Sequence, residues 1–384
     1  MFEIVDTQYT EQASIKVIGV GGGGGNAVEH MISATIDGVD FVCANTDAQA
    51  LAKSSAPVHI QLGANVTKGL GAGADPELGR AAAIEDRDRV REILEGTDML
   101  FITAGMGGGT GTGASPVIAE IARELDVLTV AVVTRPFPFE LGRRMTIAAA
   151  GIDELSKQVD SLIVVPNERL ISVLGRGVTL KAAFAAANDV LLGAVQGISE
   201  LIIRPGLVNV DFADVRAVMG EKGRAMMGAG RATGQDRAFE AAKKATTCPL
   251  LENVDLHGAR GILVNITADP NLGMDEYAAV GEVIESFAAP GANVITGTVI
   301  DDNAGEELRI IVVATGLGLS GAPPVETASN VAVLPVSGSA PDPEPMEVPA
   351  PPGPEIGAIE QARQRNYFDI PAYIRRRAND NPRV

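Results

Sequence analysis

The stretch Phe101–Pro116 reads FITAGMGGGTGTGASP, and Gly105 to Gly113 holds six glycines and two threonines in nine residues. It follows the apolar run DMLFITA (98–104) and precedes a helix-like pattern, TGASPVIAEIARELD. Successive glycines let backbone N–H groups turn inward on an anion, and glycine tolerates the φ values such a nest requires. A helix beginning near Thr112 would aim its positive end at the same place, and Thr110 and Thr112 add hydroxyl donors. The bareness therefore has a physical reading: a polyphosphate lying against main chain.

A second glycine-rich loop, VIGVGGGGGNAVEH (17–30), also follows a strand-like run, IKVIGV (15–20). Gly19, Gly21 and Gly24 fit G-x-G-x-x-G, and Asp47 lies at the end of the next strand, which by itself is a dinucleotide-binding signature. That reading gives an oxidoreductase and leaves the second loop unexplained. Two phosphate-cradling loops in one sheet point instead to a nucleoside triphosphate. The dipeptide Gly-Lys occurs nowhere, so the P-loop pattern is absent, as are the kinase signatures. Backbone, helix dipole and metal must hold the phosphates.

Apolar strand-like runs alternate with helix-like runs: VDFVCANTD (39–47), a glycine-rich loop (62–77), a helix over 76–94, LTVAVVT (128–134) and DSLIVVP (160–166). Short continuous apolar strands between helices predict a parallel sheet covered on both faces. Residues 13–178 read as a Rossmann-like, doubly wound α/β domain. Residues 179–203, rich in Ala and Leu without proline, read as one long, largely buried helix stopped by RPG (204–206). A second α/β domain with a mixed sheet is expected over 204–320, with helices at 212–219, 234–247 and 274–288.

Ten of the 22 prolines fall between Pro323 and Pro354. That composition cannot bury enough apolar surface to fold, so 321–365 is expected to be a disordered linker, and 1–12 a flexible segment. Hydrophobicity returns in NYFDIPAYIRRRAND (366–380), which reads as a docking motif for a partner's groove.

Net charge is −18 with only 4% aromatics and no Trp. An acidic surface repels nucleic-acid phosphates. Cys43 and Cys248 stand far apart without metal-ligand spacing. No signal peptide and no 18-residue uncharged apolar run is seen, so a soluble intracellular protein without membrane insertion is expected.

GGGTGTG (107–113) resembles the signature of the tubulin-like GTPases. IKVIGVGGGGGNAV, ANTDAQAL, TKGLGAGADPE, RPFPFELGRR, AANDVL and RPGLVNVDFADV follow in the order found in the FtsZ family of bacterial cell division, and DIPAYIRRR matches its tail. Leu141 stands where that family often has Gly. The resemblance implies GTP/GDP as ligand, with Mg²⁺ accompanying the nucleotide. It implies phosphate contacts from Gly22, Gly23, Gly24, Gly25 and Asn26 on one loop and from Gly107, Gly108, Gly109, Thr110, Gly111 and Thr112 on the other, joined by Asn45 and Gly73. Glu140 and Arg144 would meet the ribose and phosphate end. Asn26, Asn188 and Asp189 would read guanine, with Phe184 stacked on the base. Asn209, Asp211 and Asp214 would position and polarise the attacking water. In the family they lie at the opposite end of the subunit from the phosphate loops, so they would complete the next subunit's site. Head-to-tail contacts do not close, which gives filaments. On residues alone, acids at a helix start also serve as caps, which would leave a GTP-binding scaffold without turnover. Asp369, Ile370, Pro371, Tyr373, Ile374 and Arg375 would dock membrane-tethering division proteins. The expected place of action is the cytoplasm, at the inner face of the membrane at midcell.

Overall fold

The computed structural model describes residues 13–248 and 259–317, apart from positions 141, 176, 205, 209, 222 and 303. The expected linker, the tail motif, the segment 1–12 and Asn209 lie outside the described residues.

The first half alternates strand and helix as its sequence pattern demands. β1 (Ile15–Val20), β2 (Val39–Asn45), β3 (Val58–Gln61), β4 (Met99–Gly105), β5 (Leu128–Arg135) and β6 (Ser161–Pro166) pair in parallel in the order β3-β2-β1-β4-β5-β6. Alternate residues enter opposite layers. Val17, Phe101 and Val130 join one core cluster, whereas Ile18, Ile102 and Ala131 join the other. One face is covered by α1 (Gly21–Ser33), the other by α4 (Pro76–Glu85), α5 (Arg87–Leu94), α6 (Gly109–Glu124) and α7 (Gly142–Ser156). The short helices α2 (Ala48–Leu51) and α3 (Ala64–Thr67) flank the β2 and β3 edge. The single helix expected over 76–94 is two, because the chain breaks at Asp86, whose carboxylate accepts from Gly63 N–H at 2.6 Å.

After α8 (Asn167–Leu174) comes α9 (Leu180–Ile203), begun by the Thr179 hydroxyl accepting from Ala182 N–H. By length and composition α9 could cross a membrane. Its apolar residues Leu191, Val195, Ile198 and Leu201 instead share a core with β1, β4 and β5 on one side and Leu263, Val299 and Val313 on the other. Asn265 Nδ2 donates to the Gly197 carbonyl at 2.9 Å, tying the helix to the second half.

That half holds α10 (Phe212–Met219), β7 (Gly223–Ala232), α11 (Arg237–Thr246), β8 (Ala259–Ala268), α12 (Met274–Glu285), β9 (Ala288–Ile300) and β10 (Leu308–Leu317). The sheet is mixed, as expected: β10 runs antiparallel to β7 and β8, and β8 runs parallel to β9. The sheet is also continuous with the first, because Ser161–Ile163 pair with Gly223–Ala225. The glycine-rich run of β7 gave no strand signal. Its glycines serve packing: a Cβ on Gly230 would fall on the Ala241 carbonyl of α11.

Candidate functional site

In the strand order 3-2-1-4-5-6 the chain reverses direction across the sheet between β1 and β4, and open α/β sheets bind ligands there, at the carboxyl ends of the strands. Both glycine loops are at that point. α1 starts at Gly21 and α6 at Gly109, neither has a side-chain cap, and neither carries an acid in its first turn. α4, by contrast, is capped by Asp75. Two helix N-termini without side-chain caps, and their two positive dipole ends, therefore converge, with Gly109 N–H taken up by the Gly73 carbonyl at 2.8 Å.

The cleft they flank has a volume of about 340 Å³. Of the residues named from the sequence, Gly22, Gly23, Asn26, Gly73, Gly108, Gly109, Thr110, Gly111, Glu140, Arg144, Phe184 and Asn188 line it. Glu140 Oε2 accepts from Arg144 Nη1 at 2.6 Å, and Glu140 Oε1 accepts from Phe137 N–H at 2.9 Å. The Phe137 ring meets Phe184 edge-on, with centroids 5.2 Å apart. The Thr110 and Thr46 hydroxyls are 2.6 Å apart, which joins the second glycine loop to the end of β2.

The glycines divide by what a side chain would meet. A Cβ on Gly22 or Gly108 would touch no protein atom, so these positions are bare toward the cleft. Gly24 is bare for a different reason: a Cβ would fall on the Thr103 carbonyl of β4, so it permits the close approach of α1 to the sheet. Gly107 (φ +101°) lies against Pro136 and the Arg144 backbone, and the Thr112 hydroxyl accepts from its N–H at 2.8 Å. Thr112 is thus a buried clasp of the loop rather than a lining donor. Gly25 and Asn45 face a second cavity of about 270 Å³ on the other side of α1, shared with Cys43 and Glu29. There burial pushes the Cys43 thiol up, reinforced by the Glu29 carboxylate.

Asp189 follows Asn188 at the border of the cleft, and its carboxylate is 2.7 Å from His30 Nε2. Asn167 lines the cleft although no motif singled it out. It is 3% exposed, and its Oδ1 is buried without a hydrogen-bond partner. Its position directly after a strand's carboxyl end was the one signal available.

Asp211 and Asp214 lie elsewhere. Asp211 precedes α10 without capping it, and Asp214 is exposed in the first turn. Arg216 Nη2 donates to the Asp126 carbonyl at 2.8 Å, which docks α10 at the entry of β5, whereas Thr134, near the exit of β5, lines the cleft. At about 3.3 Å per strand residue, roughly 25 Å separates the two ends. Phe184 and Ile203 are a further roughly 28 Å apart along α9.

Residues 14–175 match the model of the Tubulin/FtsZ family GTPase domain, and residues 223–318 match that of the FtsZ family C-terminal domain. The chain belongs to the FtsZ family. It is 57% identical over 394 residues to the cell division protein FtsZ of Coxiella burnetii, covering 99% of this chain and 100% of that one. The Pseudomonas putida FtsZ is 55% identical over 399 residues, with the same coverage. Its fold matches an empty FtsZ dimer of M. jannaschii with a TM-score of 0.76 and 42% identity, over 80% of this chain and 89% of that one. As an FtsZ-family protein it is a GTPase, whose family domain implies binding of a guanine nucleotide. Among the described residues no group of three or more His, Cys, Asp or Glu forms a metal cage. The donor set fits a magnesium ion carried by phosphates, not one held by protein alone.

Proposed function

We propose that this chain is a self-assembling GTPase of the bacterial division ring, and that its GTP is hydrolysed between subunits. Gly22, Gly23, Gly109, Thr110 and Gly111 hold the phosphates, Glu140 and Arg144 the ribose end, and Phe184 stacks on the base. Asn26, Asn188 and Asp189 read the guanine edge, joined by Asn167. The N1–H and 2-amino donors of guanine, which adenine lacks, suit acceptor oxygens here. Mg²⁺, brought by the nucleotide, supplies charge neutralisation at the β- and γ-phosphates. Asn209, Asp211 and Asp214 orient and polarise the attacking water in the next subunit's cleft. Phosphoryl transfer needs mostly positioning and charge control, so carboxylates suffice for the protein's part.

The carrying observation is the separation of Asp211 and Asp214 from their own cleft, at opposite ends of β5. No side chain spans such a distance. Exposed apolar residues support the same reading. Phe139, Ile171, Leu174 and Leu180 stand exposed around a cavity next to the cleft, and Leu207, Val208 and Met274 stand exposed near the carboxyl ends of β8 and β9. Exposed apolar residues at both places favour a protein–protein contact, and a head-to-tail one propagates.

In this reading 13–178 is the GTP-binding domain, 179–203 the central helix and 204–320 the domain that carries the catalytic loop. The tail residues Asp369, Ile370, Pro371, Tyr373, Ile374 and Arg375 dock membrane-tethering proteins and hold filaments at the inner face of the membrane at midcell.

The test is GTP hydrolysis per molecule against protein concentration, with Mg²⁺ and potassium, while light scattering is followed in the same cuvette. Specific activity should be near zero and rise with scattering past a threshold. Constant specific activity without scattering would overturn the shared site. Cutting the chain near Pro341 should leave assembly intact and abolish capture by membrane-tethering partners.

A further inference from the structure

We infer that His30 is a positioning residue for base recognition: its ring holds the Asp189 carboxylate in the orientation that reads guanine. The inference rests on the assignment of Asp189 to the base made above. His30 Nε2 is 2.7 Å from Asp189 Oδ1, between residues 159 positions apart in sequence. An ionised carboxylate only accepts, so the ring nitrogen donates. Asn26, one helical turn before His30 on α1, lines the cleft, and so does Asn188, the neighbour of Asp189 on α9. The bond therefore ties the two helices that flank the cleft at the residues next to its polar lining.

The side chains are 34% and 64% exposed, so the pair adds little to folding stability. Its effect is on orientation. A carboxylate that exposed is otherwise a broad two-fold rotor, and ordering it would count against binding. Two donors on one base edge need both oxygens in one plane. A carboxylate has about four lone-pair sites, so a bond to His30 leaves room for N1–H and the 2-amino group. The other carboxylate on this turn of α1, Glu29, is engaged elsewhere, by the Ser54 hydroxyl and by Ser55. Those bonds more than offset its desolvation and hold it below its ordinary range.

Equilibrium titration of the full chain with GDP, and with IDP, which lacks the 2-amino group, tests the role in His30→Ala, His30→Gln, Asp189→Ala and the His30→Ala/Asp189→Ala pair. His30→Ala should weaken GDP about tenfold, the scale of one charge-assisted hydrogen bond, and IDP less. His30→Gln, whose amide also donates, should restore most of the GDP affinity. His30→Ala should cost nothing further once Asp189 is Ala. If Asp189→Ala weakens GDP and His30→Ala does not, or if His30→Ala weakens it equally in both backgrounds, the positioning role is overturned and the base assignment stands. If Asp189→Ala binds GDP as tightly as the natural chain, the base assignment fails first.

Discussion

The guanidinium of Arg216 donates to the Asp126 carbonyl oxygen at 2.8 Å, and this bond fixes α10 at the entry of β5. Asp126 holds a left-handed backbone (φ +56°) just before that strand, and Arg216 also lies 5.9 Å from the Phe212 ring centroid. The consequence is positional. Asp211 and Asp214 are anchored at one end of the strand whose other end borders the cleft, so the catalytic role proposed for them requires two molecules.

Asp214→Ala should bind GTP with unchanged affinity and hydrolyse almost none, with filaments that persist longer. Mixing it with a chain whose cleft is blocked but whose 209–214 loop is intact should restore part of the activity. Mixed interfaces of one order, with the Asp214→Ala cleft against the other variant's loop, then pair a good cleft with a good loop, while those of the reverse order stay inactive. Turnover measured on the mixture and on each variant alone decides the matter, and normal turnover by Asp214→Ala alone would sink the shared site.

Arg216→Ala should lower stability by about 1–2 kcal/mol, the worth of a charge-assisted hydrogen bond with a partly exposed donor. GDP affinity should hold, because the cleft is at the far end of β5, while turnover falls as the loop loses its anchor. Thermal denaturation and GDP titration together separate these effects.

Glycine substitutions should sort by neighbour. Gly108→Ala adds a methyl that meets no protein atom, so the fold should keep its melting temperature while nucleotide affinity falls. Gly24→Ala and Gly113→Ala press on the carbonyls of Thr103 and Pro76, backbone that cannot retreat, and should destabilise by about 3 kcal/mol or more. Equal behaviour of the two classes in melting curves would contradict the division.

A fourth expectation concerns acid stability. Arg237 is 8% exposed and clamps Glu276 (Nε to Oε1, 2.7 Å), Asp269 (2.9 Å) and the Glu306 carbonyl (3.0 Å). The Arg237 hydrogen bonds outweigh desolvation and hold the Glu276 carboxyl below its ordinary range. Its folded pKa is depressed, so its contribution is complete above the ordinary Glu range and is lost as pH falls through the lowered value. Melting temperatures of the natural chain and Glu276→Gln should differ most near neutrality and converge toward pH 3. Arg237→Ala should cost about 3 kcal/mol at neutral pH, because it strands a poorly solvated carboxylate.

Much of this was legible in the residues. The alternation of apolar runs specified the parallel half of the sheet, since a strand buried on both faces must be apolar throughout. The two glycine loops marked the two helix starts that border the cleft, where Gly22 and Gly108 leave the backbone bare. The long Ala/Leu-rich segment required a helix. β7 was not legible: Met226 and Met227 sit among small residues whose purpose, admitting α11, exists only once the helix is packed there. Asn167 was equally silent, since an orphaned acceptor is defined by surroundings drawn from distant segments.

By itself, then, the sequence determined the α/β class, the strand and helix periods, the glycine-rich loops and the family, all of which rest on local pattern. Only the tertiary structure decided which glycines face the cleft and which face a neighbouring backbone. It alone paired His30 with Asp189, and it measured how far Asp211 and Asp214 stand from their own cleft, about a strand's length, at the opposite end that the family resemblance implied. Those are distances between residues far apart in the chain, and spacing along a chain does not fix them until packing does.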